Sequence, residues 1–487
     1  MLTLWPHQQQ AVDKAMANIE RGYNGFALFF DPGVGKTGAA ITILRNIFNS
    51  DKRLYRTIIF CPVIVIKNWT NEWALFSKID PRSVIPLYGS GKDRIKKFQE
   101  GISTIDLAGE KRTTSAIFIT NYEALNNEEL FKLFMDWGPE VLVFDESHRL
   151  KSGKADRTKF SMALSKKAKY VGILTGTPIL NNAMDLFTQF MILDKGRTFG
   201  KNFFVFRGMY FQDKNAWMPR ERYFPNWQVK PGALSAISEK IKTVASLAKK
   251  EECLDLPPFV RKTIKVGMSP EQKRMYHEME QDFVTFINDS AVVATLAITK
   301  AIRLMQILSG FTKTDVGDIV ELVNTPREQA LYEILQDLVP NHKVIVWAVY
   351  QENYKTIARV CDKLKVKYVE LNGNVSNNNR YKNVDTFNND PECRVVIAHP
   401  ASAGEGINLV VSDYYVRYSK NFSYGESVQS EARNYRGGSN IHEKVTGIDL
   451  VCEKTIDEEI TKRLLDKQDI SFKVLASIAN ELKGTIK

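Results

Sequence analysis

Five short apolar runs in the first third of the chain constrain the fold more than any other feature. Residues 26–30 end in Asp31-Pro32-Gly33, residues 57–60 in Cys61-Pro62, residues 116–119 in Thr120-Asn121, residues 141–144 in Asp145-Glu146, and residues 171–174 in Thr175-Gly176. Runs of this length, apolar throughout and closed by turn residues, read as strands buried on both faces. Helical stretches separate them, so the pattern predicts a doubly wound parallel sheet with ligands at the C-terminal strand ends.

The pattern repeats. KVIVWAV from Lys343, KYVEL, RVVIAH and YYVRYS read as four more strands with helices between them. Residues 372–389, rich in asparagine, read as a loop plus a helix. Between the two regions, residues 186–250 are dominated by aromatic and basic residues with little strand signal. Asp255-Leu256-Pro257-Pro258 is a strong break, and residues 271–308 read as helices, with Tyr276, Met279, Phe283 and Phe286/Ile287 on one face. The stretch after Thr455 reads as helix. The fold class expected is α/β with two parallel-sheet lobes, residues 1–255 and 256–487, carrying helical insertions at about 186–250 and 270–325.

DPGVGKT, residues 31–37, lies between the first strand and a helical stretch, the context a phosphate-binding loop requires. Gly33 and Gly35 let backbone N–H groups turn inward on phosphate oxygens. Lys36 would reach the β and γ phosphates, and Thr37 would offer its hydroxyl to Mg²⁺. Phe30 stands where the full motif has a glycine, so this is the shortened form. VLVFDESH, residues 141–148, pushes two carboxylates out at a strand end. Asp145 would hold Mg²⁺, and Glu146 would orient and deprotonate a water. Alternation along an extended chain is expected to separate their two roles.

Charge and cysteine usage narrow the partners. Lysine and arginine total 67 against 56 aspartates and glutamates, a net charge of +11, which suits a polyanion or simply a well-solvated surface. Cys61, Cys253, Cys361, Cys393 and Cys452 form no C-x-x-C pair, which argues against a zinc cluster or a disulfide framework and fits a reducing compartment. No stretch approaches the roughly 18 apolar residues of a membrane span, and the N-terminus lacks a secretory pattern.

DPGVGKT with DESH resembles motifs I and II of superfamily 2 helicases, and further segments follow in that order. LWPHQ (4–8), IIFCPVIVIKNWTNEW (58–73), ITNYEAL (119–125), LTGTPILNN (174–182), AGEGINL (403–409) and QSEARNYRGGS (429–439) resemble the remaining motifs of the Swi/Snf-type DNA translocases. The N-W-x-x-E-W tail, the long insertion and the last motif are the more specific features. Gly438 and Ser439 depart from the usual ending of that motif, and the short, stand-alone form looks like phage or bacterial members.

The resemblance implies two RecA-like lobes sharing one ATP with Mg²⁺. Gln8 would read adenine beside Asp31, Gly33, Gly35, Lys36 and Thr37, with Gly404 and Glu405 also at the nucleotide. Gln429, Arg433 and Arg436 would complete catalysis, the two arginines three apart on one helical face as fingers for the γ-phosphate. His148, Thr175 and Thr177 would couple ATP to the strand. Backbone contacts to DNA would come from Lys67, Asn68, Trp69, Asn121, Tyr122, Arg380, Lys151 and Lys154. The basic run from Lys151 to Lys169 is either a strand path or a solvated face. Trp217, Tyr223, Phe224 and Trp227 form either a stacking surface or a small core. The function implied is an ATP-dependent motor on duplex, forked or branched DNA, displacing proteins or branch-migrating strands. An RNA helicase and a non-hydrolysing scaffold are the alternatives. A monomer in the cytoplasm of a prokaryotic or phage-infected cell, with no membrane partner, is expected.

Overall fold

The structure is a computed structural model that describes residues 2–105, 111–113, 116–180, 182–219, 223, 225–289, 294–313, 318–401, 407–462, 464 and 466. It divides into two units, one of Met1–Asp213 with Trp227–Leu254, the other of Lys214–Asn226 with Asp255–Gln468. The unit boundary after Leu254 coincides with the Asp255-Leu256-Pro257-Pro258 break.

The first unit is built on a seven-stranded parallel sheet. Its strand order is Ala245–Ala248, Gly25–Phe30, Tyr170–Leu174, Val141–Asp145, Thr57–Phe60, Ile117–Thr120 and Val84–Pro86. Alternate side chains enter opposite cores, as the period of a strand requires. Phe29, Ile58, Phe60, Phe118, Phe144 and Ile173 pack on one face, Phe30, Ile59, Ile119, Val143 and Leu174 on the other. Helices cover both faces, so each strand is apolar throughout and the five expected strands were legible.

Two strands of this sheet lack that signature. Val84–Pro86 is a three-residue edge. Ala245–Ala248 lies inside the region expected to be helical, yet pairs in parallel with Gly25–Phe30 and is buried along its length. Alanine and serine have weak strand preference, so tertiary packing decides this segment. The rest of the insertion contains the helices Asp185–Asp194, Phe203–Tyr210 and Ala233–Lys242, and a short antiparallel pair, Phe211–Asp213 with Trp227–Val229.

The second unit holds a six-stranded parallel sheet ordered Phe259–Val266, Val445–Cys452, Tyr414–Arg417, Val344–Trp347, Cys393–Ala398 and Lys367–Leu371. The four inner and edge strands read from sequence are present. The two missed are instructive. Phe259–Val266 is an edge strand that turns Arg261, Lys262 and Thr263 outward, so it reads as polar linker. Val445–Cys452 is wholly buried but carries Gly447 and Asp449. Gly447 is needed because a Cβ there would lie 2.2 Å from the Tyr415 ring. Asp449 is buried against Arg417 at 3.5 Å and Lys420 at 3.3 Å. The helices Pro270–Asp289, Ala294–Leu308 and Asn377–Asn389 lie where periodicity put them, the last capped by Ser376. Tyr276 is buried as expected, whereas the side chains of Phe283, Phe286 and Ile287 lie outside the described residues.

Gly447→Ala forces the Tyr415 ring to move within a filled core. We expect it to destabilise the second unit by about 1–3 kcal/mol. Calorimetry checks this: one unfolding transition shifts down, and two unchanged transitions would show that the ring has room to move.

Candidate functional site

The glycine loop leaves the strand Gly25–Phe30 and enters the helix Lys36–Ser50. Gly33 and Gly35 both sit in left-handed backbone, at φ +87° and +81°, which a side chain would strain. A Cβ on Gly35 would also lie 2.2 Å from Gln8 Nε2. Gln8, expected at adenine, is buried, and both ends of its amide are engaged on backbone. Its Nε2 donates to the Gly35 carbonyl (2.8 Å) and its Oε1 accepts from the Trp5 N–H (2.8 Å). His7 Nε2 lies 3.0 Å from the Val34 carbonyl. The Asp31 carboxylate accepts from the Lys250 N–H (3.0 Å) just beyond the edge strand Ala245–Ala248. Burial raises the Asp31 pKa, and that N–H partly offsets the effect. Thr37 occupies the first turn of the helix, half-buried.

Lys36 donates to the Phe30 carbonyl (3.0 Å) and lies 3.9 Å from Glu146. The acidic pair therefore stands beside the loop, two strands away across the sheet. Glu146 is not extended, as strand alternation would have it; it is kinked into left-handed backbone, φ 54° and ψ 51°. In that conformation its carboxylate meets Lys36, His148 and Thr175, and the backbone costs about 1–2 kcal/mol for a residue with a Cβ.

Asp145 is buried and held from three sides. Its Oδ2 accepts from the Trp69 indole (2.8 Å), its Oδ1 from the Glu146 N–H (3.0 Å), and its carbonyl from the Tyr122 hydroxyl (2.7 Å). Burial and the Glu146 charge push its pKa up. Glu146 is half-buried, and Lys36, His148 and Thr175 outweigh desolvation and hold it below the usual carboxylate range. His148 Nδ1 lies 2.9 Å from Thr175 Oγ1 and 3.3 Å from Glu146. Thr175 donates to Glu146 (3.3 Å) and accepts from the Thr177 N–H (3.0 Å). Lys36, Asp145, Glu146, His148, Thr175 and Thr177 thus form one connected cluster.

The residues expected to touch a strand divide. Lys67, Asn68 and Lys154 are exposed and Lys151 is half-buried. Trp69, Asn121 and Tyr122 are buried: the two aromatics face Asp145, and Asn121 donates to Glu123 (2.5 Å). The side chains of these three are core, not surface. In the basic run, Lys169 binds Asp51 (3.1 Å) and Tyr55 (2.7 Å) before the first residue of its strand, the opposite sheet edge from the loop. Lys159 pairs with Asp156 at 2.8 Å on the exposed face of the helix Asp156–Lys167.

In the second unit, Gln429 lies on the helix Tyr424–Glu431, but that helix ends before the arginines. Arg433 and Arg436 sit in the turns that follow, not on a helical face. Gly437 and Gly438, the latter at φ +97°, oppose continuation of the helix. The turn is fixed instead by Leu409 N–H to the Arg433 carbonyl (3.0 Å) and by Asn434 Nδ2 to the Ser412 carbonyl (3.1 Å). Arg433 is buried, and burial lowers the Arg436 pKa. Glu431, at the helix end, accepts from Arg261 (2.5 Å), Tyr415 (3.2 Å) and Arg417 (3.5 Å). No sequence spacing betrays this set, because its members come from two strands and a helix far apart in the chain. Arg380 donates to the Asn372 carbonyl at 3.0 Å. Gly404, Glu405 and Phe224 lie outside the described residues. Trp217 and Tyr223 are exposed, while Trp227 is half-buried, with the Arg207 guanidinium 4.0 Å from its ring centre.

Residues 7–314 match the SNF2-related domain and residues 327–438 the helicase conserved C-terminal domain. The chain is 25% identical over 465 residues to a protein of Acyrthosiphon pisum secondary endosymbiont phage 1, covering 92% of this chain and 93% of that protein. It is 26% identical to a Caenorhabditis elegans homolog of the SWI/SNF-related regulator of chromatin subfamily A-like protein 1, covering 97% of this chain but 62% of that protein. The SWI2/SNF2 ATPase core of Sulfolobus solfataricus, solved with dsDNA, is 21% identical with a TM-score of 0.44, covering 96% of this chain and 93% of that one. Among the described residues, no helix is long and apolar enough to cross a membrane.

Gly35→Ala tests the loop. The new methyl meets Gln8 in a backbone region that disfavours it, so nucleotide affinity should fall at least tenfold by fluorescent-nucleotide titration. Unchanged affinity would mean that the loop is not the phosphate site.

Proposed function

This chain belongs to the SNF2-related family, with a helicase C-terminal domain following, and from that premise we propose that it hydrolyses ATP to drive movement along duplex DNA. The observation that carries the reading is the adjacent pair of carboxylates, Asp145 buried and Glu146 half-buried, set beside the glycine loop with Lys36 3.9 Å from Glu146.

Gly33, Gly35 and Lys36 bind the phosphates of ATP. Glu146, ionised and aimed by its kinked backbone, orients water on the γ-phosphorus and takes its proton as the bond to ADP breaks. His148 and Thr175 hold Glu146 in that pose. Arg433 and Arg436 are assigned to charge building up on the γ-phosphoryl group, with Gln429 supporting them. The residues present fit Mg²⁺: two adjacent carboxylates outnumber the Lys36 ammonium, and a divalent cation neutralises the excess. Asp145 and Thr37 would hold it, and it would supply charge neutralisation at the phosphates.

Lys67, Asn68, Lys151 and Lys154 are assigned to DNA backbone contacts, since a motor must tolerate any sequence. The net charge of +11 supports a polyanionic track. On this reading the chain remodels forked or branched DNA or displaces bound protein. Strand separation is not required for either.

ATP turnover measured against duplex, single-stranded, forked and four-way DNA and against RNA tests this reading. Turnover should rise most with substrates containing duplex DNA. Affinity for duplex should fall with salt at a log–log slope of about −0.9 per phosphate contacted. Equal or greater stimulation by RNA would transfer the motor to the other nucleic acid, and no stimulation by either would refute it.

A further inference from the structure

The helix Ile66–Phe76 has two faces with different chemistry. Lys67 and Asn68 are exposed on one. Trp69 and Trp73, one turn apart, are buried on the other. The two indoles are used differently. Trp73 Nε1 is buried with no hydrogen-bond partner among the described residues, so this ring serves packing alone. Trp69 Nε1 donates to Asp145 Oδ2 at 2.8 Å, a bond between residues 76 apart in sequence and shielded from water.

That bond is directional and charge-assisted, and a hydrogen bond weakens steeply as its angle and length depart from the optimum. The other carboxylate oxygen is fixed by the Glu146 N–H, so the indole determines how the Asp145 carboxylate is turned. Tyr122 holds the same residue by its carbonyl (2.7 Å), anchoring the backbone while leaving the carboxylate orientation to Trp69. A small displacement of the helix, produced by a load on Lys67 and Asn68, changes the donor presented to Asp145. Packing rigidity transmits such a shift rather than absorbing it.

We infer that Trp69 is a positioning residue that couples the DNA-facing side of its helix to Asp145 through a single indole N–H. The inference rests on the proposed motor function and names the route by which DNA would reach the hydrolytic cluster. Linkage makes the effect reciprocal: if DNA alters nucleotide affinity through this bond, nucleotide alters DNA affinity by the same factor.

Trp69→Phe and Trp73→Phe make the test. Each removes the same atoms from the buried face of the same helix, but only the first removes a donor from Asp145. The readouts, on the full chain, are the ratio of turnover with saturating duplex to turnover without it, and duplex affinity with and without Mg²⁺–ADP. Trp69→Phe should cut the stimulation ratio about fivefold or more, through kcat rather than KM, and flatten the nucleotide effect on duplex affinity. Trp73→Phe should retain both. Equal behaviour of the two variants, or an undiminished ratio in Trp69→Phe, overturns the inference while leaving the motor reading intact. A wild-type chain whose turnover duplex does not raise overturns both. Should Trp69→Phe fail to fold, hydrogen exchange on the wild type decides: Mg²⁺–ADP should change protection of the amides of Ile66–Phe76, and unchanged protection overturns the coupling.

Discussion

Two adjacent carboxylates at the end of a central strand, Asp145 buried and Glu146 half-buried, are the constraint around which the first unit is arranged. Desolvating one such group costs several kcal/mol unless opposite charge and donors offset it. Asp145 and Glu146 meet this demand differently. Glu146 is turned by a left-handed kink toward Lys36, His148 and Thr175 and stays ionised. Asp145 keeps two donors, an indole and a backbone N–H, but burial and its neighbour's charge push its pKa up. The pair is left with excess negative charge on the side of the loop. Such an arrangement is poor as a structural element and well suited to a site that receives cationic charge with its ligand.

The second unit solves a related problem with paired charges. Asp449 is buried between Arg417 and Lys420, and the half-buried Glu431 pairs with Arg261 and Arg417. Glu431 ends the helix that carries Gln429, and the turn holding Arg433 and Arg436 begins directly after it. The network therefore fixes the point from which those arginines project. Gly447 is part of the same design, since only a glycine leaves room for the Tyr415 ring whose hydroxyl donates to Glu431.

The legible part of this molecule is the part whose signal is local. The inner strands are continuous apolar runs because both their faces are covered, and the glycine loop declares itself by its glycine spacing between a strand and a helix. The segments that escaped notice depend on distant partners. Ala245–Ala248 is a strand only because Gly25–Phe30 lies beside it, and Phe259–Val266 hides as polar linker because one face is exposed. Val445–Cys452 is interrupted by an aspartate whose partners lie on and just beyond another strand. In the site, residue types and spacing found Lys36, Asp145 and Glu146, and the resemblance added His148, Thr175 and Thr177; the fold brings all six together. Side-chain direction was not legible. Trp69 and Tyr122 lie in segments expected to face a nucleic acid, but both turn inward to Asp145. Arg433 and Arg436 keep their spacing on a turn instead of a helix, because contacts from Leu409 and to Ser412 hold the chain there after the helix ends at Glu431. A sequence shows which groups are present and roughly where; which way each points depends on packing it does not display.

The central claim is that Glu146 takes the proton of water attacking ATP while the glycine loop holds the phosphates. The most direct test is Glu146→Gln, with turnover and nucleotide affinity measured on the same preparation. The account predicts turnover lower by about 10²–10⁴-fold, the usual contribution of a positioned general base, with nucleotide affinity little changed. Turnover within severalfold of the unaltered chain would contradict it and move the base elsewhere.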